Sequence, residues 1–200
     1  MKENLKKILA AVLALAFVGY LLVTGISDLV NTKDRHTVNI DECAEILTIE
    51  HSINGLIPTG KDHYYVGVDY DTGAAYIMQA SSSWYKKNFN ADMTSNVTGG
   101  VNVTALSKWV NDFDVRNELV SRVSSLSESG LQFPLGTENR LDINYQMKAF
   151  SKLAILILGA ILAVIVIWVS KSGRQANKAV GVVVLIIAVL LLVLILQVIR

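Results

Sequence analysis

Three apolar runs, Ile8–Ile26, Leu153–Val169 and Ala179–Val198, stand out from an otherwise polar pattern, and none contains a charged residue. Each is near the ~20 residues an α-helix needs to cross a hydrocarbon layer about 30 Å thick. The pattern predicts three transmembrane helices and one displayed domain. The layout is an N-terminal stretch at 1–7, a first span at 8–26, the domain at 27–148, a second span at 149–170, a short loop at 171–178 and a third span at 179–199.

Inside the polar block the periodicity changes to two. Tyr64, Val66, Val68 and Tyr70 share one face of an extended segment, with Tyr65, Gly67 and Asp69 on the other. Asp71-Thr72-Gly73 supplies a turn and Ala74–Ala80 resumes the extended pattern, which predicts a β-hairpin with a three-residue loop. A second alternation, Asn96–Ala105, places Val97, Val101, Val103 and Ala105 on one side and Asn96, Thr98, Asn102 and Thr104 on a wet one. Thr37–Ile40 and Glu45–Ile53 read as strands, while Glu42–Leu47 fits a strand or a short helix equally well.

Two helices are predicted in the block. Ser81–Phe89 opens on serines able to cap exposed N–H groups. Asp112 to about Leu126 carries Phe113, Arg116, Val120 and Val123 along one stripe, joined by Leu119 and Leu126, with Asn111, Asp112 or Asp114 as cap. Ser124–Gly136 reads as a loop, and Leu141–Phe150 as a helical entry to the second span. The expected fold is α+β: three transmembrane helices plus an extracytoplasmic domain on a small, mainly antiparallel β-sheet with two helices.

Charge orients this layout. Lys2, Lys6 and Lys7 precede the first run, and Lys171, Arg174 and Lys178 lie between the second and third. Both flanks are expected to be cytoplasmic, which puts 27–148 outside; Lys148 and Lys152 oppose this bias. The first run reads as an uncleaved signal-anchor, because its core is long and no A-x-A-like site follows it; Val23-Thr24-Gly25 is the nearest approach. The overall charge of +1 hides a split: residues 27–148 hold sixteen acidic against ten basic side chains. An acidic domain is a poor partner for nucleic acid and is repelled by an anionic membrane surface. The three apolar runs carry no charged or histidine side chain for an ion path. Ala10/Ala14 and Gly159/Ala163 have the small-residue spacing that lets helices approach closely, as ordinary apolar composition also does.

Candidate chemistry is sparse. His36, His51 and His63 form no zinc-ligand spacing, and Cys43 is the only cysteine, beside Asp41 and Glu42, which disfavour its thiolate. His63 reads as a surface or edge residue. Asp69-x-Asp71 suits a turn before glycine better than a metal, since the oxygen ligands of a calcium loop do not follow. No G-x-S-x-G elbow appears, and Gly99-Gly100 suits a bulge or bend, not a phosphate loop. No cofactor is implied. The most unusual composition is Trp84, Tyr85, Lys86, Lys87 and Phe89, an aromatic-basic segment that is the candidate partner or membrane contact. The competing assignment has its rings covering the sheet and its lysines in water, and Trp109 carries the same ambiguity. Asn96-Val97-Thr98 and Asn102-Val103-Thr104 satisfy the N-x-S/T pattern for glycosylation.

The stretch His63-Tyr64-Tyr65-Val66-Gly67-Val68, the Asp71-Thr72-Gly73 turn and the run Ala74–Phe89, within this layout, resemble a family of uncharacterised small bacterial multi-pass membrane proteins. That resemblance implies a compartment and carries no catalytic signature. A looser similarity of layout is to membrane ubiquitin ligases, whose zinc-binding RING this chain lacks. The expected function is a membrane-anchored extracytoplasmic interaction or sensor module without evident catalysis. Its expected partners are the lipid bilayer and a membrane or envelope protein. The alternatives are an accessory subunit of a transport or secretion complex acting through its spans, and a hydrolase with a dispersed site.

Overall fold

The computed structural model describes residues 2–53, 57–128, 130–172 and 178–199. In chain order these form α1 (Lys2–Val30), β1 (Arg35–Ile40), β2 (Glu42–Ile53), β3 (Ile57–Asp69), β4 (Ala74–Ala80), α2 (Ser82–Asn88), β5 (Val101–Trp109), α3 (Phe113–Glu128), β6 (Asn139–Asp142), α4 (Tyr145–Ser172) and α5 (Lys178–Ile199). The chain is α+β and divides into a helical unit, Met1–Val30 with Gln146–Arg200, and a sheet unit, Asn31–Tyr145.

The sheet is six-stranded and mixed, in the order β1-β5-β6-β4-β3-β2. Its pairings are antiparallel except for β4 with β6, where Met78 and Gln79 run parallel to Leu141 and Asp142. The two edge strands, β1 and β2, are joined by the single residue Asp41. Two Cα steps of 3.8 Å span at most about 7.6 Å, whereas five strand spacings of ~4.8 Å would hold the edges of a flat sheet about 24 Å apart. The sheet must therefore curl until its edges meet at Asp41. Asp41 N donates to Val68 O at 2.8 Å there, and Asp41 O accepts Ser95 N at 2.8 Å.

Curling gives the sheet two distinct faces. Every strand sends side chains to the concave one: Val38 and Ile40, Cys43, Tyr65, Met78 and Ala80, Val103 and Ala105, and Leu141. Phe89 closes that core, with Trp84 and Tyr85 packed against it. The convex core holds Tyr64, Val66, Ala75 and Ile77 under Leu119 and Val123 of α3. Both faces of β3 and β4 are thus buried. The alternation from Tyr64 marks a strand correctly but does not mark a wet side.

Several boundaries differ from the sequence reading. The β3–β4 loop has four residues, Tyr70–Gly73, because Asp69 still pairs with Ala74. Asp69 Oδ1 accepts Asp71 N and Thr72 N at 3.0 and 3.2 Å, and Gly73 has φ +67°. The second alternating strand begins at Val101 and not Asn96. Gly99 and Gly100 have φ +80° and +85°, and a Cβ on Gly100 would stand 2.5 Å from Asn39 Oδ1, so the chain turns here and Val97 is exposed. Glu42–Leu47 is strand. The stretch expected as a loop from Ser124 is helical to Glu128, where Leu126 packs into the convex core. Leu141–Asp142 belongs to β6, so the helical entry starts only at Tyr145.

The expectation of three spans needs the larger correction. Among the described residues one helix, Tyr145–Trp168, is long and apolar enough to cross a membrane; the apolar stretches Ala16–Val30 and Val182–Leu191 are shorter. In the helical unit α1 and α4 meet at Gly25, where a Cβ would lie 3.4 Å from Lys152 Cβ and 3.5 Å from Ala149 O. Lys152 Nζ and Asp28 Oδ2 pair at 3.1 Å beside that contact. Among the described residues the close approach is not at Gly159/Ala163, since a Cβ on Gly159 would meet none of their atoms within 4 Å. The Ala10/Ala14 pair lies outside the described side chains, as do Lys2, Lys6 and Lys7. Arg174 and the centre of the 171–178 loop lie outside the described residues, and the side chains of Lys171 and Lys178 outside the described side chains.

Gly67 tests the packing of the concave core. A Cβ there would meet Met78 Cε at 2.5 Å and Ile40 Cγ2 at 2.9 Å. Gly67→Ala is expected to destabilise the sheet unit by about 1–3 kcal/mol, the usual range for overpacking. Denaturant titration of the full chain, followed by the tyrosine signal, reads this directly. An unchanged midpoint would contradict the packing described.

Candidate functional site

The aromatic-basic segment folds as the sequence chemistry dictates. Ser81 Oγ accepts Trp84 N at 3.2 Å and caps α2, and Phe89 N returns to Tyr85 O at 2.9 Å at the other end. One turn of helix then sends the rings inward. Tyr85 stacks on Tyr65 with ring centroids 4.8 Å apart, and Phe89 lies 5.7 Å from both Tyr85 and Trp84. Phe89 is buried and Trp84 and Tyr85 are half-buried, while Lys86 and Lys87 are exposed. The rings of the candidate contact are therefore committed to the core. What the segment offers to solvent is a pair of lysines.

The concave core gathers Cys43, Tyr65 and Tyr85 close enough to influence one another. Burial pushes the Cys43 thiol far up and so suppresses its thiolate. Burial likewise raises the Tyr65 hydroxyl, which lacks a hydrogen-bond partner among the described residues. Neither group is activated as a nucleophile.

The β2–β3 ribbon carries His51 and His63, while His36 lies in β1. His63 lies within the interior strand β3 and not at an edge, with Nδ1 2.9 Å from Glu45 Oε1 and 3.1 Å from Thr48 Oγ1. Thr48 also bonds Glu45. Acid and hydroxyl converge on the same ring nitrogen, so the ring does not relay a proton between them, as a nucleophile–histidine–acid triad requires. On the opposite face His51 Nε2 lies 3.0 Å from Asp62 Oδ2. Lys61 pairs with Glu50 on the same face as His63. Burial opposes ionisation of Glu45, but the hydrogen bonds from His63 and Thr48 outweigh it and hold its carboxyl below the usual range. Among the described residues no three His, Cys, Asp or Glu side chains converge on a point that suits a metal.

The most deeply buried polar groups lie elsewhere. The register places Arg35, Leu106, Asp142, Gln79 and Tyr64 in one row across five strands. Asp142 is almost fully buried; its Oδ2 lies 3.7 Å from Lys108 Nζ and its Oδ1 accepts Asn144 N at 3.0 Å, turning the chain toward α4. Gln79 Oε1 accepts Arg140 Nε at 2.8 Å. The Arg35 guanidinium lies 5.7 Å from the centre of the buried Tyr145 ring. This row therefore ties the first residue of β1 to the first residue of α4. Sequence patterning did not single out these residues, because each polar group stands alone in its own strand.

A third cluster faces solvent. Trp109 and Phe113 are 46% and 63% exposed. The Arg116 guanidinium lies 5.1 Å from the Trp109 ring centre and 5.4 Å from that of Phe113. Arg116 Nη1 donates to Val110 O at 3.0 Å, which fixes the side chain. The sequence stripe had placed Phe113 and Arg116 on the buried face of α3. Of that stripe Leu119 and Val123, one helical turn apart, are the buried members, while Phe113 is exposed. Asp112 supplies the cap, accepting Asp114 N and Val115 N at 3.0 and 3.1 Å.

The Glu45 contacts set a pH dependence. A carboxyl held low when folded contributes stability above its unfolded pKa and loses it as pH falls through the folded value. Glu45→Gln is therefore expected to lower the thermal midpoint at pH 7, with the gap to the wild type closing as pH drops below about 4. Melting both full-length proteins across that range checks it, and a gap that stays constant with pH would contradict the assignment.

Comparison with protein-family models, with curated proteins and with solved structures found no match for this chain, so its functional reading rests on the geometry described above.

Proposed function

We propose that this chain is a membrane-anchored interaction or sensor module, without evident catalysis, that displays its sheet unit outside the membrane. The observation that carries this reading is the contrast between the two units. The sheet unit buries a core on both faces of its sheet. The helical unit exposes large apolar side chains, among them Ile157 at 61%, Val164 at 66% and Leu185 at 64%. At ~25 cal/mol per Å² such surface is costly in water and costs nothing against lipid. α4 alone among the described helices is long and apolar enough to cross a membrane; α1 and α5, at 29 and 22 residues, carry shorter apolar stretches beside that one span. The Lys152–Asp28 pair explains how a lysine is tolerated near the start of α4. The basic flanks then favour cytoplasmic placement of 1–7 and 171–178.

The second reading, an accessory subunit working through its helices, is favoured by the open space around Gly159, where another helix can approach. Cross-linking in cells separates the two. Loss of the cross-linked partner on deleting the sheet unit supports the module; retention by the helices alone supports the accessory subunit.

Topology has its own test. Asn96 and Asn102 are both exposed in N-x-S/T patterns. Translation into microsomes is expected to add a glycan at one or both, removed by a glycosidase and abolished in the Asn96→Gln/Asn102→Gln variant. No glycan on the wild type, together with modification of an N-x-T site engineered into the 171–178 loop, would invert the orientation.

A further inference from the structure

We infer that Trp109, Phe113 and Arg116 form an interfacial anchor that rests the sheet unit on the headgroup layer of the bilayer receiving α1. The inference depends on the membrane reading above and adds a lipid-contacting surface to it.

The first support is the position of the cluster along the chain. α1 ends at Val30, and Asn31–Asp34 is drawn into a tight turn: Asn31 Nδ2 donates to Asp34 Oδ2 at 2.8 Å, and Asp34 N donates to Asn31 Oδ1 at 3.2 Å. Asp34 O already accepts Ser107 N at 2.7 Å. Four residues even fully extended reach only about 14 Å, and this turn reaches less. Trp109 lies two residues beyond Ser107, about 7 Å along β5, on the side from which the chain enters β1. Phe113 and Arg116 follow in the first turn of α3. The exposed rings are therefore held within a few residues of the end of a membrane helix.

The second support is chemical. Tryptophan combines an apolar ring with an N–H donor and is enriched at membrane–water interfaces. Phe113 adds apolar area, and a guanidinium pairs with phosphate oxygens through two parallel hydrogen bonds. Arg116 is already fixed between the rings and by Val110 O, so little side-chain freedom is lost on contact. Two acids that flank Phe113 in sequence constrain the lipid. Asp112 is engaged as the cap of α3, and Asp114 is exposed and would be repelled by anionic headgroups. Zwitterionic phosphocholine fits this surface.

The chain has three tryptophans, Trp84, Trp109 and Trp168. The full-length protein is placed in phosphatidylcholine nanodiscs as two variants, Trp84→Phe/Trp168→Phe, reporting Trp109, and Trp84→Phe/Trp109→Phe, reporting Trp168. Spin-labelled lipids quench at the headgroup level or deep in the acyl chains, and acrylamide quenches from water. Trp109 is expected to lose emission to the shallow label and to be shielded from acrylamide, with Arg116→Ala weakening both effects. Trp168 quenched by either lipid label while Trp109 stays open to acrylamide would overturn the anchor and leave the membrane reading standing. Neither tryptophan quenched by lipid would overturn both. If Trp84→Phe disturbs the concave core, the difference between wild type and Trp109→Phe isolates the same signal.

Discussion

One residue of connection governs the sheet unit. Because Asp41 alone links the two strands at opposite edges of the sheet, six strands cannot lie flat, and their curvature creates an inside. That inside collects side chains from every strand, and α2 closes it with Phe89, Trp84 and Tyr85. Asp41 is tied accordingly, with its N–H on Val68, its carbonyl on Ser95 N and its Oδ2 accepting Tyr70 N at 2.8 Å. The glycines at 67 and 100 follow from the same closure. Gly67 leaves room for Met78 and Ile40 where the faces converge, and Gly100 lets the 90–100 loop press against Asn39 and Asp41.

Closure also decides where the chain enters and leaves. Arg35 and Asp142 flank Leu106, so the first strand of the unit begins and its last strand ends on either side of β5. Arg35 over Tyr145, and Asp142 turning the chain at Asn144, make that junction a fixed base.

The sequence conveyed local pattern well and curvature poorly. The Tyr64–Ala80 hairpin, the Ser81 cap and the Asp112 cap were legible because each depends on residues within one turn or one strand pair. The apolar runs were legible by composition, although only Tyr145–Trp168 meets the length and hydropathy of a span among the described residues. Burial of both faces of β3 was not legible, because cover for the convex face comes from α3, some fifty residues away in sequence. Phe113 and Arg116 were assigned to a core stripe by spacing alone, whereas the rotation of α3 is set by Leu119, Val123 and Leu126 against the sheet. The parallel β4–β6 pairing has no local signature, and neither does the row from Arg35 to Tyr64. The one clue to closure in the chain, a single residue between two strands, becomes meaningful only once the strand order is known.

The most direct measurement is therefore made at the link itself. A flexible insertion of Gly-Ser-Gly after Asp41 relaxes the distance constraint without changing any core side chain. Hydrogen exchange of the full-length protein, compared with and without the insertion, is expected to show faster exchange at Val38, Ile40, Cys43 and Tyr65 together, as the shared core loosens. Faster exchange confined to the inserted residues and their immediate neighbours, with the concave core fully protected, would contradict the claim that closure at Asp41 holds the unit together.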